Sequence, residues 1–355
     1  MKPEGDYDAH SEYQRRVIEG GDALIRSAVG ALALPAGGDA AVLVDYGAGT
    51  GATSVHAMRT AVAALREREG ERPVFVVHND VATNDFSQLF RNVAGADGYL
   101  EDAGGPVFAS AAAGSFFEQV LPAEMVHLGT CSNASHWLRR QPSIRISDGM
   151  YFCDDATGEA RQTLADQAAA DWLAFLEARA AEISAGGRLV VQGIGATVAN
   201  DGAQVSASRL LRVMWEVADR LADEGLVDRE LLDQYVFPVY CRSADEAAAP
   251  LQAGAPLAGV LSVASQEVDE VSDPYWESYE RDRDPQSYAK TYVQFVRAFA
   301  ESTLMSHLFT PAATGIDPAA LCDRYFDRLE KATAENPEAG RYEAWVLRTS
   351  FERCP

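Results

Sequence analysis

The segment Val44-Asp45-Tyr46-Gly47-Ala48-Gly49-Thr50-Gly51-Ala52-Thr53 holds the residues whose types and spacing have the clearest chemical use. An apolar run ends in three glycines, and an alanine-rich stretch follows. This reads as a buried strand, a turn and a helix start. Glycines permit positive φ and let the backbone approach a ligand closely; an ordinary tight turn has the same composition. Two ligand readings compete. Gly47-x-Gly49-x-x-Ala52 formally fits the dinucleotide fingerprint G-x-G-x-x-G/A, which expects an acidic residue about 20 positions further on. The next strand ends instead on Asp80, which lies farther away. Asp45 also stands two positions before Gly47. A carboxylate there suits a cofactor carrying an ammonium and a sulfonium and suits a pyrophosphate badly. Asp80 can accept hydrogen bonds from both hydroxyls of a ribose. The set fits a sulfonium methyl donor better than a dinucleotide.

Periodicity supplies the elements that must position these groups. Residues 12–33 read as one amphipathic helix, 41–47 as a buried strand, 52–68 as a helix and 73–80 as a second buried strand. Residues 86–94 read as a helix and 125–131 as a third strand. Residues 161–184 read as a long helix stopped by Gly186-Gly187, and 188–195 as a further strand. Strands alternating with helices predict an α/β fold around a parallel sheet covered on both faces. Residues 205–235 and 285–308 are mainly helical and carry several aromatics, as an inserted cap would. Residues 345–353 return to strand character, as a C-terminal edge strand. The expected division is a core over 1–200, a mainly helical cap over 201–310, and a helix and strand over 311–355 that return to the core.

Composition narrows the function. The 355 residues are 47% hydrophobic, enough for a large core, and the formal net charge is -23. Such a surface repels phosphate backbones and anionic membranes, so neither nucleic acid nor membrane is an expected partner. An anionic substrate must be held by local donors. Lysine is confined to Lys2, Lys290 and Lys331, and alanine is abundant, a composition typical of high-GC bacteria. Cys131, Cys153, Cys241, Cys322 and Cys354 form no CxxC pair, which predicts reduced cytosolic thiols and no metal site. The polar N-terminus and the lack of a long apolar stretch predict a soluble cytoplasmic protein.

Further segments carry a family resemblance. Tyr7 to Ile18 is similar to the S-Y-A-x-N-S-x-x-Q-x-x-x-I entry of the SABATH carboxyl methyltransferases, the plant salicylate, benzoate, jasmonate and indole-acetate enzymes. HNDVATNDFSQLF (78–90) resembles their F-N-D-L-P-x-N-D-F-N-x-L-F. AGSFFEQVLP (113–122) resembles P-G-S-F-Y-x-R-L-F-P. VHLGTCSNASHWLRRQP (126–142) matches L-H-F-x-x-S-S-Y-S-L-M-W-L-S-Q-x-P without a gap, and Gly149-Met150-Tyr151 echoes the G-x-I-Y that follows. EGLVDRELLDQYVFPVYCRSADE (224–246) and VRAFAESTLMSHLF (296–309) match later family segments in the same order.

The resemblance implies a Rossmann-like class I methyltransferase sheet, S-adenosylmethionine as cofactor, a small carboxylic acid as substrate, and a homodimer. It places Tyr7, Asp45, Gly47, Gly49, Asp80, Val81, Ser115 and Phe116 at the cofactor, with Asp80 on the ribose and Val81 and Phe116 on either side of the adenine. Gln14 and Trp137 fall where the family grips the substrate carboxylate. Leu210, Leu211, Val296 and Phe299 match pocket-lining positions of the cap. Asn133 and His136 replace an aromatic and a thioether, which makes that wall more polar and puts salicylate in doubt. The family's N-terminal lysine has at best a displaced counterpart in Lys2.

The chemistry fits those residue types. A carboxylic acid, with a pKa of about 4, is already ionised at neutral pH, so its methylation needs no general base. The enzyme must align one oxygen with the methyl group and exclude water. Gln14 and Trp137 are uncharged donors, able to orient a carboxylate without neutralising it as a bidentate arginine would. Each residue also has a plainer reading. Gln14 alone would be a solvated surface residue, Trp137 core packing, His136, His78 and His307 structural, Cys131 an inert buried thiol and Asp85 a helix cap. Two other functions stay open: an O- or N-methyltransferase with His136 as base, and a catalytically silent cofactor-binding protein on the same fold.

Overall fold

A computed structural model describes residues 12–100, 104–146, 149–150, 157–199, 202–309 and 316–355. Lys2, Tyr7, Tyr151 and Cys153 lie outside the described residues. In chain order the elements that matter here are α1 (Glu12–Glu19), α2 (Asp22–Gly30), β1 (Ala41–Tyr46), α3 (Ser54–Glu69), β2 (Val74–Asp80), α4 (Phe86–Ala94), β3 (Val107–Ala113), β4 (Val126–Ser132), α5 (Gly158–Glu182), β5 (Ile183–Ala199), β6 (Gly202–Val205), α6 (Ser208–Asp223), α7 (Arg229–Gln234), α8 (Ala244–Ala248), β7 (Leu261–Val271), α9 (Pro274–Asp282), α10 (Pro285–His307), α11 (Pro318–Glu335) and β8 (Ala344–Arg353).

The sheet runs β3-β2-β1-β4-β5-β8-β7, with β6 paired to β5. β1 to β5 are mutually parallel along this path, whereas β8 is antiparallel to both β5 and β7. Every residue of β1 is buried, as its continuous apolar run requires of a strand covered on both faces. One apolar layer joins β1, β2 and β4 to α2 and α3, and another joins the opposite face to α5. From β1 the chain steps outward to β2 and β3, then returns to the other side of β1 as β4. The crevice at the carboxyl ends of β1 and β4 is therefore a topological switch point, where open α/β sheets bind ligands.

Several elements depart from the sequence reading. The helix expected over 12–33 is two helices, broken at Gly20-Gly21. The long helix does not stop at Gly186-Gly187: it ends at Glu182 and passes directly into β5, which contains both glycines. β8 is not an edge strand, because β7 pairs with its free side over most of its length. β7 comes from the stretch read as cap, so that stretch also completes the core sheet. The helices α6, α9, α10 and α11 share one apolar cluster rich in tyrosine and phenylalanine, so α11, from the stretch expected to return to the core, packs on the helices of the expected cap instead.

Asp273, the N-cap of α9, is nearly enclosed by that cluster and accepts from the Tyr275 N–H at 2.9 Å. Burial pushes its carboxyl up to about 6, against the opposing pull of the Tyr275 and Trp276 N–H groups, Arg341 and Arg16. An unfolded aspartate titrates near 3.9. The folded state therefore holds this proton more tightly. Its contribution to stability is complete below about pH 4 and is lost as pH rises through about 6, a cost of roughly 3 kcal/mol at neutral pH. Asp273→Asn keeps a good cap and removes the charge. Thermal unfolding should show the variant more stable than the parent at pH 7.5 and no more stable at pH 4; a less stable variant at pH 7.5 contradicts this.

Candidate functional site

A cavity of about 340 Å³ opens at the switch point. Its floor is the turn after β1. Gly47, Gly49 and Gly51 take φ of +76°, +56° and +84°. A Cβ on Gly47 would lie 2.5 Å from that of Ala134, and one on Gly51 would lie 2.6 Å from Leu89, so neither position accepts a larger residue. A Cβ on Gly49 would meet nothing within 4 Å. The middle glycine thus faces open space, the cradle a ligand would fill. Asn84 Nδ2 donates to the Gly49 carbonyl at 2.6 Å and Asn92 Nδ2 to the Thr50 carbonyl at 2.9 Å, fixing the turn from α4 and the loop before it.

Asp80 closes the cofactor side of the floor. One carboxylate oxygen accepts from Gly49 N–H and the other from Val81 N–H, both at 2.7 Å. Burial raises its carboxyl from the ordinary range and the nearby Asp45 charge adds to this, while the two N–H donors hold it down. The cradle and this acceptor match what a nucleoside cofactor asks for: close backbone approach and an acceptor for ribose hydroxyls. Phe116 also lines the cavity. Its loop is tied to α5 by Arg179, whose guanidinium donates to the Phe116 carbonyl, to the Glu118 carbonyl at 3.0 Å and to buried Glu182 at 2.9 Å.

Three expected cofactor positions sit elsewhere. Asp45 does not reach the cavity. Its side chain has no accessible surface and lies 3.0 Å from His78 Nδ1, with Thr130 Oγ1 at 3.5 Å, so a ligand cannot touch it. It braces the strand ends behind the turn. Val81 is 49% exposed and stands outside the cavity lining, directly after Asp80. Ser115 is likewise outside the lining, and its Oγ accepts from Phe117 N–H at 3.3 Å.

The opposite wall carries the expected substrate positions. Gln14 on α1, and Asn133, His136 and Trp137 in the turn after β4, line the same cavity as the glycine turn. Gln14 is 8% exposed and its Oε1 is buried without a partner. Tyr13, beside it in sequence, also lines the cavity, and its hydroxyl is buried and unpartnered. Buried polar groups are nearly always hydrogen-bonded, so two neighbouring orphans on residues that line one cavity stand out in this wall. Asn133 is spent differently from expectation. It adopts φ of +53°, and its Nδ2 points to the Gln14 backbone carbonyl at 3.4 Å. Burial, followed by the Arg242 charge, lowers His136 to about 3. At neutral pH it is therefore an uncharged ring and a feeble base. Cys131 does not line the cavity, and burial pushes its thiol up to about 12.

Of the cap positions, Leu211 and Phe299 line the cavity, whereas Leu210 and Val296 point into the helix-packing core, 1% and 0% exposed. A shift of one position turns a helical side chain by about 100°, so an alignment one residue out selects the wrong face. Phe295 and Phe237, which the sequence reading did not single out, complete an aromatic wall. Their rings stand 5.3 and 6.1 Å from that of Phe299. The four-residue spacing of Phe295 and Phe299 was a usable signal. No lysine or arginine among the described residues lines the cavity. Among the described residues there is also no group of three or more His, Cys, Asp and Glu able to hold a metal, and no helix long and apolar enough to cross a membrane.

Comparison with known proteins gives a consistent picture. A family model described as SAM dependent carboxyl methyltransferase matches residues 2–353. The chain is 25% identical over 322 residues to salicylate carboxymethyltransferase of Clarkia breweri, covering 86% of this chain and 85% of that one. It is 27% identical over 255 residues to farnesoic acid carboxyl-O-methyltransferase of Arabidopsis thaliana, covering 68% and 70%. Among solved structures it resembles loganic acid methyltransferase with SAH, with a TM-score of 0.76 over 100% of this chain and 98% of that one, at 23% identity, which is a likeness of fold.

Proposed function

The chain belongs to the SAM dependent carboxyl methyltransferase family, and on that premise we propose that it esterifies a small acid with an aromatic or aliphatic body by positioning alone, with no general base. S-adenosylmethionine is the family's cofactor and, when bound, supplies an electrophilic methyl group. The observation that supports the reading is a single cavity that brings neutral donors beside the glycine turn, with no cation among the described residues of its lining. Gln14, Trp137 and Tyr13 line it together with the glycine turn and Asp80.

In this reading Asp80 accepts from the ribose, the Gly49 cradle takes the chain of the cofactor, and Phe116 covers one face of the adenine. The amide of Gln14 and the indole N–H of Trp137 donate to the substrate carboxylate and turn one oxygen toward the methyl group. They leave that oxygen its charge and therefore its nucleophilicity, which a buried guanidinium would reduce. Leu211, Phe237, Phe295 and Phe299 enclose the body of the acid and keep water from the reacting oxygen. A second carboxylate would find no counter-charge among the described lining residues, which favours monocarboxylates. Cys131, Cys241 and Cys322 are in no disulfide, which fits a cytoplasmic location, and the family resemblance implies a homodimer.

The test is methyl transfer from labelled S-adenosylmethionine to a panel of acids that includes salicylate, farnesoate and indole-3-acetate, reading the position of the label by mass spectrometry. Methyl esters are expected. Label found only on hydroxyl oxygen or ring nitrogen would contradict the reading. The rival use of His136 as a base separates on pH. With the ring held neutral down to about pH 3, turnover should be flat from pH 6 to 8. His136→Phe should also retain turnover within about tenfold on an acid without polar substituents, whereas loss of a true general base costs roughly 100- to 10,000-fold.

A further inference from the structure

Gln14 owes its place to α1, a helix of only eight residues, too short to hold itself in water. The last carbonyls of any helix lack internal partners. At the end of α1, the Gly20 and Gly21 N–H groups return to the Arg16 and Ile18 carbonyls at 3.0 and 2.9 Å. The Val17 carbonyl between them accepts instead from Arg348 Nη2, at 3.2 Å in a buried setting. Arg348 rises from β8, between β5 and the edge strand β7, is 3% exposed, and is steadied by Asp269 on β7 at 2.9 Å. A cation at a helix C-terminus also meets the negative end of the helix dipole. The fit is close: a Cβ on Gly20 would lie 2.4 Å from Arg348 Nη2, and one on Gly21 would lie 2.1 Å from Gln192 Oε1. The Gly20-Gly21 break between α1 and α2 is thus the gap through which two core side chains reach the helix end.

We infer that Arg348 is a positioning residue: through the Val17 carbonyl it fixes the rotation and height of α1, and with them the place of the Gln14 amide in the cavity wall. Val17 lies three residues after Gln14, one turn along the helix and on the same side. Asn133 holds the Gln14 carbonyl from the β4 turn, so the sheet grips α1 at two points, one at the clamp and one a turn beyond it. Loss of the second grip frees the helix to move by an ångström, and displacement of that size can cost roughly a hundredfold in rate. The inference rests on the reading of Gln14 as a carboxylate donor given above.

The test compares Arg348→Met, Arg348→Lys, Gly20→Ala, Gln14→Ala and the double variant Gln14→Ala/Arg348→Met. Turnover is read with labelled S-adenosylmethionine and the acid most active in the panel. Amide exchange of residues 14–21 and S-adenosylhomocysteine affinity are read by deuterium mass spectrometry and calorimetry. Arg348→Met and Gly20→Ala, the latter pushing Nη2 off the carbonyl without removing the charge, should each lower kcat roughly 10- to 100-fold. Both should speed exchange across α1 and leave both the exchange of β4 and the S-adenosylhomocysteine affinity at parental values. Arg348→Lys should recover part of the rate, and the double variant should be no slower than Gln14→Ala. Parental kcat and parental α1 exchange in both Arg348→Met and Gly20→Ala, or additive losses in the double variant, overturn the inference. If Gln14→Ala is slow while Arg348→Met is not, the positioning role alone fails. If Gln14→Ala turns over at the parental rate, the clamp itself fails and the positioning role falls with it. Should Arg348→Met not fold, Gly20→Ala and Arg348→Lys decide the matter by the same readings.

Discussion

Trp137→Phe is expected to lower turnover of a carboxylic acid about 10- to 1,000-fold, the scale seen when one donor to a reacting oxygen is removed. Affinity for S-adenosylmethionine should be unchanged. The substitution keeps an aromatic ring against Phe237 and His136, whose centroids lie 5.8 and 5.9 Å from that of Trp137. The backbone that holds the residue, with Trp137 N–H to Ala134 and the neighbouring Leu138 N–H to Pro238, is unaffected. Only the indole N–H and part of the ring volume are lost. Steady-state kinetics with the acid varied should show the loss in kcat as well as kcat/KM, because the donor orients the oxygen in the reacting geometry and does more than bind the ground state. A fully active variant would mean that the carboxylate is held by something else.

Asp80→Ala should weaken S-adenosylmethionine binding about a hundredfold. A hydrogen bond to a charged acceptor contributes roughly 1.5 to 3 kcal/mol, and the reading gives this carboxylate two ribose hydroxyls. Part of the loss comes from the protein itself, since the carboxylate also accepts from Gly49 and Val81 N–H in the turn. Asp80→Asn, which keeps one oxygen, separates the two contributions and should fall between parent and alanine. Both variants should remain folded, because the site lies at the mouth of the sheet and β2 stays paired on both sides. Calorimetric titration measures the effect; an unchanged affinity removes Asp80 from the ribose.

The parts of this molecule that could be read from the sequence are those in which local pattern and tertiary environment agree. The runs before Gly47 and Asp80 are apolar without alternation because β1 and β2 are central strands, and that is visible in the residues alone. Asp85 was legible as a helix cap, and it does accept from Gln88 N–H at 2.9 Å. Asp45 was not legible. Spacing placed it at the glycine turn, but strand alternation turned its side chain inward to His78 and Thr130, and only the paired register of β1, β2 and β4 reveals those partners. β3 escaped notice because Val-Phe-Ala-Ser-Ala-Ala-Ala lacks the β-branched density of a strand and is held in the sheet by its pairing with β2. β7 escaped for a different reason: its alternating, largely exposed residues have the pattern of neither a buried strand nor a helix. Gly186-Gly187 looked like a helix stop, whereas the glycines let β5 pass close to its neighbours; a Cβ on Gly186 would lie 2.6 Å from that of Ala33. The substrate wall was half legible. Gln14, Trp137, Leu211 and Phe299 came from resemblance and Phe295 could have followed from its spacing to Phe299, while Tyr13 depends on how α1 is rotated, a tertiary property.

The central claim is that uncharged donors hold the substrate carboxylate, and the indole N–H of Trp137 reports on it without any need for turnover. With the protein saturated in S-adenosylhomocysteine and its tryptophans labelled with nitrogen-15, the resonance assigned by its disappearance in Trp137→Phe should move downfield on addition of the acid. It should stay in place on addition of the corresponding methyl ester. An acid that binds, as calorimetry would show, while that resonance does not move would contradict the account.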